Sequence, residues 1–419
     1  MKTRDEALAL DAADPLAPLR EQFQIPPGLI YLDGNSLGVM PKTAPARVQQ
    51  VLTQEWGVGL IGSWNSAGWM DLAPRIGDKI ARLIGAQPGE CVAADSTSVN
   101  LYKVLNAALA IARADEPQRT RIVSERSNFP TDLYIAEATA AERGFELVLA
   151  DSPDALPALL DARCAVLMLT HVNYANGRIH DMAALTQAAH SAGALTIWDL
   201  AHSAGALPLS LSDSGADFAI GCGYKYLNGG PGAPAFVWVA PKHAERFWQP
   251  LAGWMGHAAP FEFTPGYRPA PGIRRYLCGT PPVLGLAALE CGVDTVLAAE
   301  GLGGMAALRQ KSLALTRAFA ALVEERCAGH GLTLVSPRDD ALRGSQVCFA
   351  HPTHGYAMVQ ALINRGVVGD FRAPQVLRFG FTPLYLRFVD VWDAVEHMRQ
   401  MLQREEWREA RFNQRAAVT

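Results

Sequence analysis

Positive charge is in short supply: 37 lysines and arginines face 41 aspartates and glutamates, giving a net charge of −4. Without a basic excess, neither nucleic acid nor an anionic membrane is an expected partner. Cysteine is sparse and poorly arranged for pairing. The seven (Cys91, Cys164, Cys222, Cys278, Cys291, Cys327 and Cys348) are odd in number, none stands in a Cys-x-x-Cys spacing, and most lie in apolar runs. That pattern argues against a disulfide framework or a metal site and for buried, reduced thiols in a cytoplasmic protein. No segment reaches the roughly 18 apolar residues of a membrane span. Met1 to Leu19 lack the uninterrupted apolar stretch of a signal peptide. Repeats and low-complexity segments are missing too. So are the Gly-x-x-x-x-Gly-Lys-Ser/Thr loop, the Gly-x-Ser-x-Gly elbow and the His-Glu-x-x-His helix, which removes three common enzyme classes.

What is present is ordinary globular material, 419 residues with 49% hydrophobic and 19% charged, enough for a large domain and a smaller one. The pattern divides into an N-terminal segment (1–60) packing on the small domain, a large ligand-binding domain (61–290) and a small C-terminal α+β domain (291–419). The opening segment reads as a short helix, the strand-like Ile30 to Asp33, a turn at Gly34-Asn35-Ser36, and a helix from about Thr43 to Trp56. Strands are expected at Arg121 to Ser124, Phe145 to Ala150, Ala165 to Thr170, Ala194 to Asp199, Phe218 to Gly221 and Ala235 to Val239. Helix-length amphipathic stretches such as Met182 to Ala192 separate several of them, which argues for βαβ units and a mostly parallel sheet. A Gly- and Pro-rich stretch, Pro260 to Pro282, interrupts the pattern before the long helical sequence Val283 to Arg326. Beyond it, strands at Leu332 to Val335, Gln346 to Ala350 and Val376 to Phe379 alternate with helices at Gly355 to Arg365 and from about Asp390.

Four pieces carry chemistry together, although each has an ordinary structural explanation alone. Asp199 ends an apolar strand in Trp198-Asp199-Leu200-Ala201-His202, where open parallel sheets place their ligands; a helix N-cap is the plain alternative. Lys225 follows 26 residues later in Gly223-Tyr224-Lys225-Tyr226-Leu227, between aromatic residues and a glycine-rich loop. That setting prepares an amine for Schiff-base chemistry, whereas a lone surface lysine would only snorkel. Asp95-Ser96-Thr97-Ser98 opens a helical pattern, a start that suits a phosphate or a simple cap. Ser127-Asn128-Phe129-Pro130-Thr131-Asp132 follows a strand and offers a ring to stack on a planar group, or merely loop chemistry. A lysine for an imine, a carboxylate for a ring nitrogen and phosphate anchors are the parts that pyridoxal phosphate requires.

These residues resemble kynureninase, and the resemblance runs across nearly the whole chain. It is carried by Tyr31-Leu32-Asp33-Gly34-Asn35-Ser36-Leu37-Gly38, Asp95 to Leu101, Phe129-Pro130-Thr131-Asp132, Asp199-Leu200-Ala201-His202-Ser203-Ala204-Gly205, Gly223-Tyr224-Lys225-Tyr226-Leu227-Asn228, Gly253-Trp254 and Leu377-Arg378-Phe379. The resemblance implies the fold type I of pyridoxal-phosphate-dependent transferases (aspartate-aminotransferase-like): a large domain with a mostly parallel seven-stranded sheet and a small α+β C-terminal domain. It implies hydrolysis of L-kynurenine, and less well of 3-hydroxykynurenine, to anthranilate or 3-hydroxyanthranilate and L-alanine, in tryptophan catabolism or NAD biosynthesis.

Residue by residue, the same resemblance gives Lys225 the Schiff base and Asp199 the pyridine nitrogen. Tyr224 and His202 join them as catalytic candidates. Thr97, Ser98, Phe129, Pro130, Thr131, Asp132 and Thr170 are expected around the cofactor, with Trp254 and Thr280 contributed across a homodimer. Ser36, Trp64, Gly279 and Arg378 are expected at the substrate, Arg378 as the clamp for its α-carboxylate. The animal enzymes carry His, Ser and Asn where this chain has Trp64, Gly279 and Thr280, which implies a preference for the unsubstituted aryl ring. The rivals are a cysteine desulfurase or class V aminotransferase, and a regulator that binds pyridoxal phosphate without catalysis.

Overall fold

The computed structural model describes residues 1–415. Its centre is a seven-stranded sheet of β2 (Cys91–Ala94), β3 (Arg121–Glu125), β4 (Glu146–Ala150), β5 (Cys164–Thr170), β6 (Leu195–Asp199), β7 (Phe218–Gly221) and β8 (Ala235–Val239). Their order is β2-β8-β7-β6-β5-β3-β4. Only β8 runs antiparallel to its neighbours; the β3-β4, β3-β5, β5-β6 and β6-β7 pairs are parallel. All seven residues of β5 are buried, as expected of a central strand covered on both faces. Helices Leu72–Ile84, Thr97–Asp115, Pro130–Arg143 and Met182–Ser191 supply the cover. The helix Met182–Ser191 starts on Asp181, whose side chain accepts the Ala184 N–H, and stops two residues before Gly193.

Strand β1 (Ile30–Tyr31) belongs to another part of the molecule. It pairs in parallel with β11 (Val367–Val368), and Asp33 bridges to Gly380. A four-stranded antiparallel sheet contains β9 (Thr333–Leu334), β10 (Gln346–Ala350), β12 (Asp370–Arg372) and β13 (Val376–Gly380), in the order β12-β13-β10-β9. Helices Gly304–Arg326 and Gly355–Asn364 pack on it, and Phe388–Gln403 packs on those two helices. Asp11, in the first helix (Arg4–Ala12), accepts the backbone N–H groups of Phe388 and Val389, fixing the opening of the chain to the last long helix.

Three differences from the sequence expectations have physical causes. Strand β2 is only four residues long and leads at once into Asp95-Ser96-Thr97-Ser98, so no period was visible. The long helical run from Val283 is two helices, Val283–Leu297 and Gly304–Arg326, broken where Gly303 and Gly304 take positive φ. The Thr43-to-Trp56 helix is α-helical over Ala44–Gln50 and π-helical over Val51–Trp56, a widening the amphipathic pattern does not record.

Candidate active site

Parallel strands all point one way, so the segments leaving their carboxyl ends converge. Thr170 closes β5, Asp199 closes β6, and Lys225 follows β7 within a few residues. They line one cavity together with Thr97, Ser98, Phe129, Thr131, Asp132, His202 and Tyr224. Tyr174 lines it too, edge-on to Phe129 with ring centroids 5.3 Å apart; the sequence alone did not single it out. The Lys225 amine lies 3.0 Å from His202 Nε2 and 6.0 Å from the Phe129 ring centroid. Gly38 donates its N–H to the Tyr224 carbonyl at 2.8 Å. A Cβ there would collide with the Lys225 carbonyl and Asn228, so glycine is what lets the N-terminal segment lie against the lysine loop.

The charges are arranged by burial. Asp199 and Asp132 are both buried, and loss of hydration pushes both carboxyls up, Asp132 further because Asp199 faces it. The pair thus favours holding a proton, or a cation, between its members. Asp199 also accepts the Ala201 N–H at 2.7 Å. Burial, then the positive charges of Lys225, Arg378 and Arg372, holds His202 neutral. Its Nδ1 is buried with no partner among the described residues. Burial raises the Tyr224 phenol to about 12, so it keeps its proton at neutral pH.

Second-layer groups fix these side chains. Asn128 Oδ1 accepts the N–H groups of Phe129 at 2.8 Å and Thr170 at 3.2 Å, and also the Thr170 hydroxyl. The aromatic loop and the end of β5 are thereby held by one amide. Lys103 is completely buried in the helix Thr97–Asp115. It pairs with Asp95 and donates to the Tyr276 carbonyl at 2.7 Å. Asp95 has a φ of 47°, a strained value for a residue with a side chain, so the ion pair helps hold the turn into the helix. Ser96 caps that helix by accepting the Val99 N–H. The first N–H groups, those of Thr97 and Ser98, are left without helical acceptors.

The remaining predicted residues lie apart from this cavity. Pro130 starts the helix Pro130–Arg143 and does not line it. Trp254 lines a separate hollow with Gly253, His257 and Phe263. Trp64 joins Trp254 there, ring centroids 5.9 Å apart, and Trp69 at the same distance. The Trp69 indole donates to Glu55 at 2.7 Å, and Arg47 pairs with the same carboxylate at 2.6 Å. Gly279 and Thr280 lie just beyond Cys278, whose carbonyl accepts the Met255 N–H at 3.0 Å. Ser36 and Arg378 belong to a cluster with Asp370 and Arg372.

A family model for the kynureninase C-terminal domain matches residues 308–398. The kynureninase of Pseudomonas fluorescens is 58% identical over 421 residues, covering all of both chains. The chain belongs to the kynureninase family. The kynureninase of Burkholderia pseudomallei strain 1106a is 59% identical, again over the whole of both chains. Among solved structures, the apo cysteine desulfurase of Thermococcus onnurineus NA1 superposes with a TM-score of 0.76 at 20% identity, covering 92% of this chain and 98% of that one. A mutant of C-DES with glycine covalently linked to its PLP cofactor gives 0.78 at 16% identity, covering 91% and 98%. At that identity the two structures speak for the fold alone.

The lining fits pyridoxal phosphate. A helix start flanked by Thr97 and Ser98 offers unspent N–H and hydroxyl donors to a phosphate. The buried Asp132–Asp199 pair suits a protonated ring nitrogen, and the Lys225 amine stands beside the Phe129 face.

Proposed function

We propose that the protein is a pyridoxal-phosphate-dependent hydrolase that cleaves L-kynurenine with water to anthranilate and L-alanine. One observation carries the reading. A lysine amine, a buried carboxylate pair and the start of the helix Thr97–Asp115 line a single cavity, in a chain 58% identical from end to end to a kynureninase.

Pyridoxal phosphate, when bound, supplies the electron sink that makes the substrate's α-proton removable and its Cβ–Cγ bond breakable. The chain's residues do the rest. Thr97 and Ser98, with Thr131 in the same lining, would hold the phosphate, and Phe129 would supply an aromatic face for the ring. Asp199, backed by Asp132 and Thr170, holds the proton on the ring nitrogen. Lys225 would hold the cofactor between turnovers and, as a free amine, would carry the substrate's α-proton. His202, neutral, accepts from the Lys225 amine and keeps it aimed. The cluster around Arg378 and Ser36 receives the α-carboxylate. Water adds to the γ-carbonyl, its oxygen leaving in the anthranilate carboxylate and a proton closing the β-carbon of alanine. The Tyr224 phenol, protonated at neutral pH, is the donor in that half.

Each site is completed by a second copy of the chain. The aromatic group of Trp64 and Trp254 stands outside the Lys225 cavity, and its surroundings carry exposed apolar side chains, Ile61 at 81% and Phe263 at 78%. Trp64, Gly279 and Thr280 then form the aryl wall of the partner's site, favouring kynurenine over 3-hydroxykynurenine. A cytoplasmic setting accords with seven free cysteines and with the absence, among the described residues, of a helix long and apolar enough to cross a membrane. Desulfurase chemistry is disfavoured by the thiols themselves. Burial raises all seven, Cys327 to about 12 and Cys348 to about 11, so none is a ready nucleophile. The direct test is Lys225→Ala: kynurenine turnover and the visible absorbance of lysine-bound cofactor should both vanish. Turnover retained by that variant would overturn the scheme.

A further inference from the structure

Two buried titratable side chains stand next to the Phe129 turn and take no part in the proposed reaction. Glu125 closes β3 and is 5% exposed, and His180 is buried to the same degree. Glu125 Oε2 lies 2.9 Å from His180 Nε2, and Oε1 accepts the Ser127 hydroxyl at 2.5 Å. Burial alone would raise this carboxyl. The hydrogen bonds from His180 and Ser127 outweigh it and hold the group below the usual carboxylate range, so it is ionised at neutral pH.

That carboxylate is a fixed point between two segments. The first is the turn after β3, where Asn128 donates its N–H to the Glu125 carbonyl at 3.0 Å and Phe129 follows. The second is the loop from His171 to His180. A bridge between Val172 and Ile179 closes it, as does the His180 N–H to the His171 carbonyl at 3.0 Å. Asn173 crosses between the two. Its Nδ2 donates to the carbonyl and hydroxyl oxygens of Ser127, each at 3.0 Å, and its Oδ1 accepts the N–H groups of Ala175 and Asn176. Glu125 thus grips one segment through Ser127 and the other through His180. Each segment delivers one ring to the Lys225 cavity, Phe129 from the first and Tyr174 from the second, edge-on at 84°. Phe129 is itself 39% exposed, so the backbone beneath it places its ring more than enclosure by neighbours does.

We infer that Glu125, with His180, is a positioning residue for the cofactor. By holding the Ser127 turn and the 171–180 loop together it sets the Phe129–Tyr174 pair, and so the face against which the pyridoxal ring lies. The inference rests on the proposed place of that ring against Phe129, and not on the identity of the substrate.

The test titrates full-length protein, stripped of cofactor, with pyridoxal phosphate, read by visible absorbance and by circular dichroism of the same band. Glu125→Leu, which loses both bonds, should weaken binding about tenfold and diminish the dichroism of the bound chromophore. Glu125→Gln should stay within about threefold of the parent, since its amide can accept from Ser127 and donate to the other tautomer of His180. Phe129→Leu should itself cost about tenfold. The deciding comparison is the double variant. If Glu125 acts through the ring, adding Glu125→Leu to Phe129→Leu should cost less than about a further twofold. A second full loss in that background would overturn the inference, because a general loosening of the fold predicts it. So would parental affinity and dichroism in Glu125→Leu. Should Glu125→Leu not fold, Ser127→Ala replaces it: a loss of about threefold is expected with Phe129 present and none without it, and equal losses in both backgrounds would overturn the inference. Undiminished affinity in Phe129→Leu would remove the proposed ring face, and the inference with it. A parent that binds pyridoxal phosphate but leaves kynurenine unchanged would overturn the reaction only, since the titrations read the cofactor and still decide Glu125.

Discussion

His171 shows how much a single side chain behind the site is asked to tolerate. It follows Thr170 directly, is buried, and places Nδ1 2.8 Å from Ser203 Oγ. Its ring stands edge-on to Trp198, in the strand that ends at Asp199. Burial first, then the charge of His180, lowers its pKa from the ordinary 6.5 to about 4. A depressed histidine binds fewer protons folded than unfolded. Its contribution to stability is therefore complete above pH 6.5 and is lost as the pH falls through 4. A shift of that size corresponds to about 3 kcal/mol at most. Denaturant titrations of the parent should show stability falling between pH 6.5 and 4, and His171→Gln should fall less steeply over that window. Identical slopes would place the acid sensitivity elsewhere.

At the scale of elements, legibility followed length and purity of pattern. Strands β5, β6 and β8 could be read because each is an unbroken apolar run closing on a recognisable motif, and the Asp199 and Lys225 motifs fell at their ends as parallel topology requires. Strands β2, β11 and β12 were not read: they are two to four residues long, too short for a period to show, whereas the equally short β1, β7 and β9 stood out as apolar runs. Arg372 was missed with β12, and Asn128 was hidden because loop chemistry explained it as well. Lys103 was missed for another reason: in a helical pattern a lysine reads as a solvated face, and only packing reveals that Asp95 and the Tyr276 carbonyl enclose it. That lysine ties the start of the helix Thr97–Asp115 to the segment leading to Cys278, so its removal should be felt in both. Lys103→Met is expected to lower stability by about 2–3 kcal/mol and weaken cofactor retention about tenfold. Equilibrium dialysis with visible absorbance measures the second effect; unaltered retention would confine Lys103 to the fold.

Across the whole molecule, Trp64 and Trp254 stand apart from the Lys225 cavity, and the proposed second copy would bring them to a site. Shared sites make a sharp prediction about hybrids. Lys225→Ala and Trp254→Ala proteins, each nearly inactive, should regain activity when unfolded and refolded together. Random pairing gives half heterodimers, each with one intact site, so about a quarter of parental activity is expected. No recovery, with mixed dimers shown to form, would mean that both residues serve the same protomer. The central claim is the reaction, and its most direct test is to mix the purified, cofactor-loaded protein with L-kynurenine and quantify both products. Fluorescent anthranilate appearing one-for-one with L-alanine as kynurenine disappears is the predicted result; a protein that binds pyridoxal phosphate yet leaves kynurenine unchanged would contradict it.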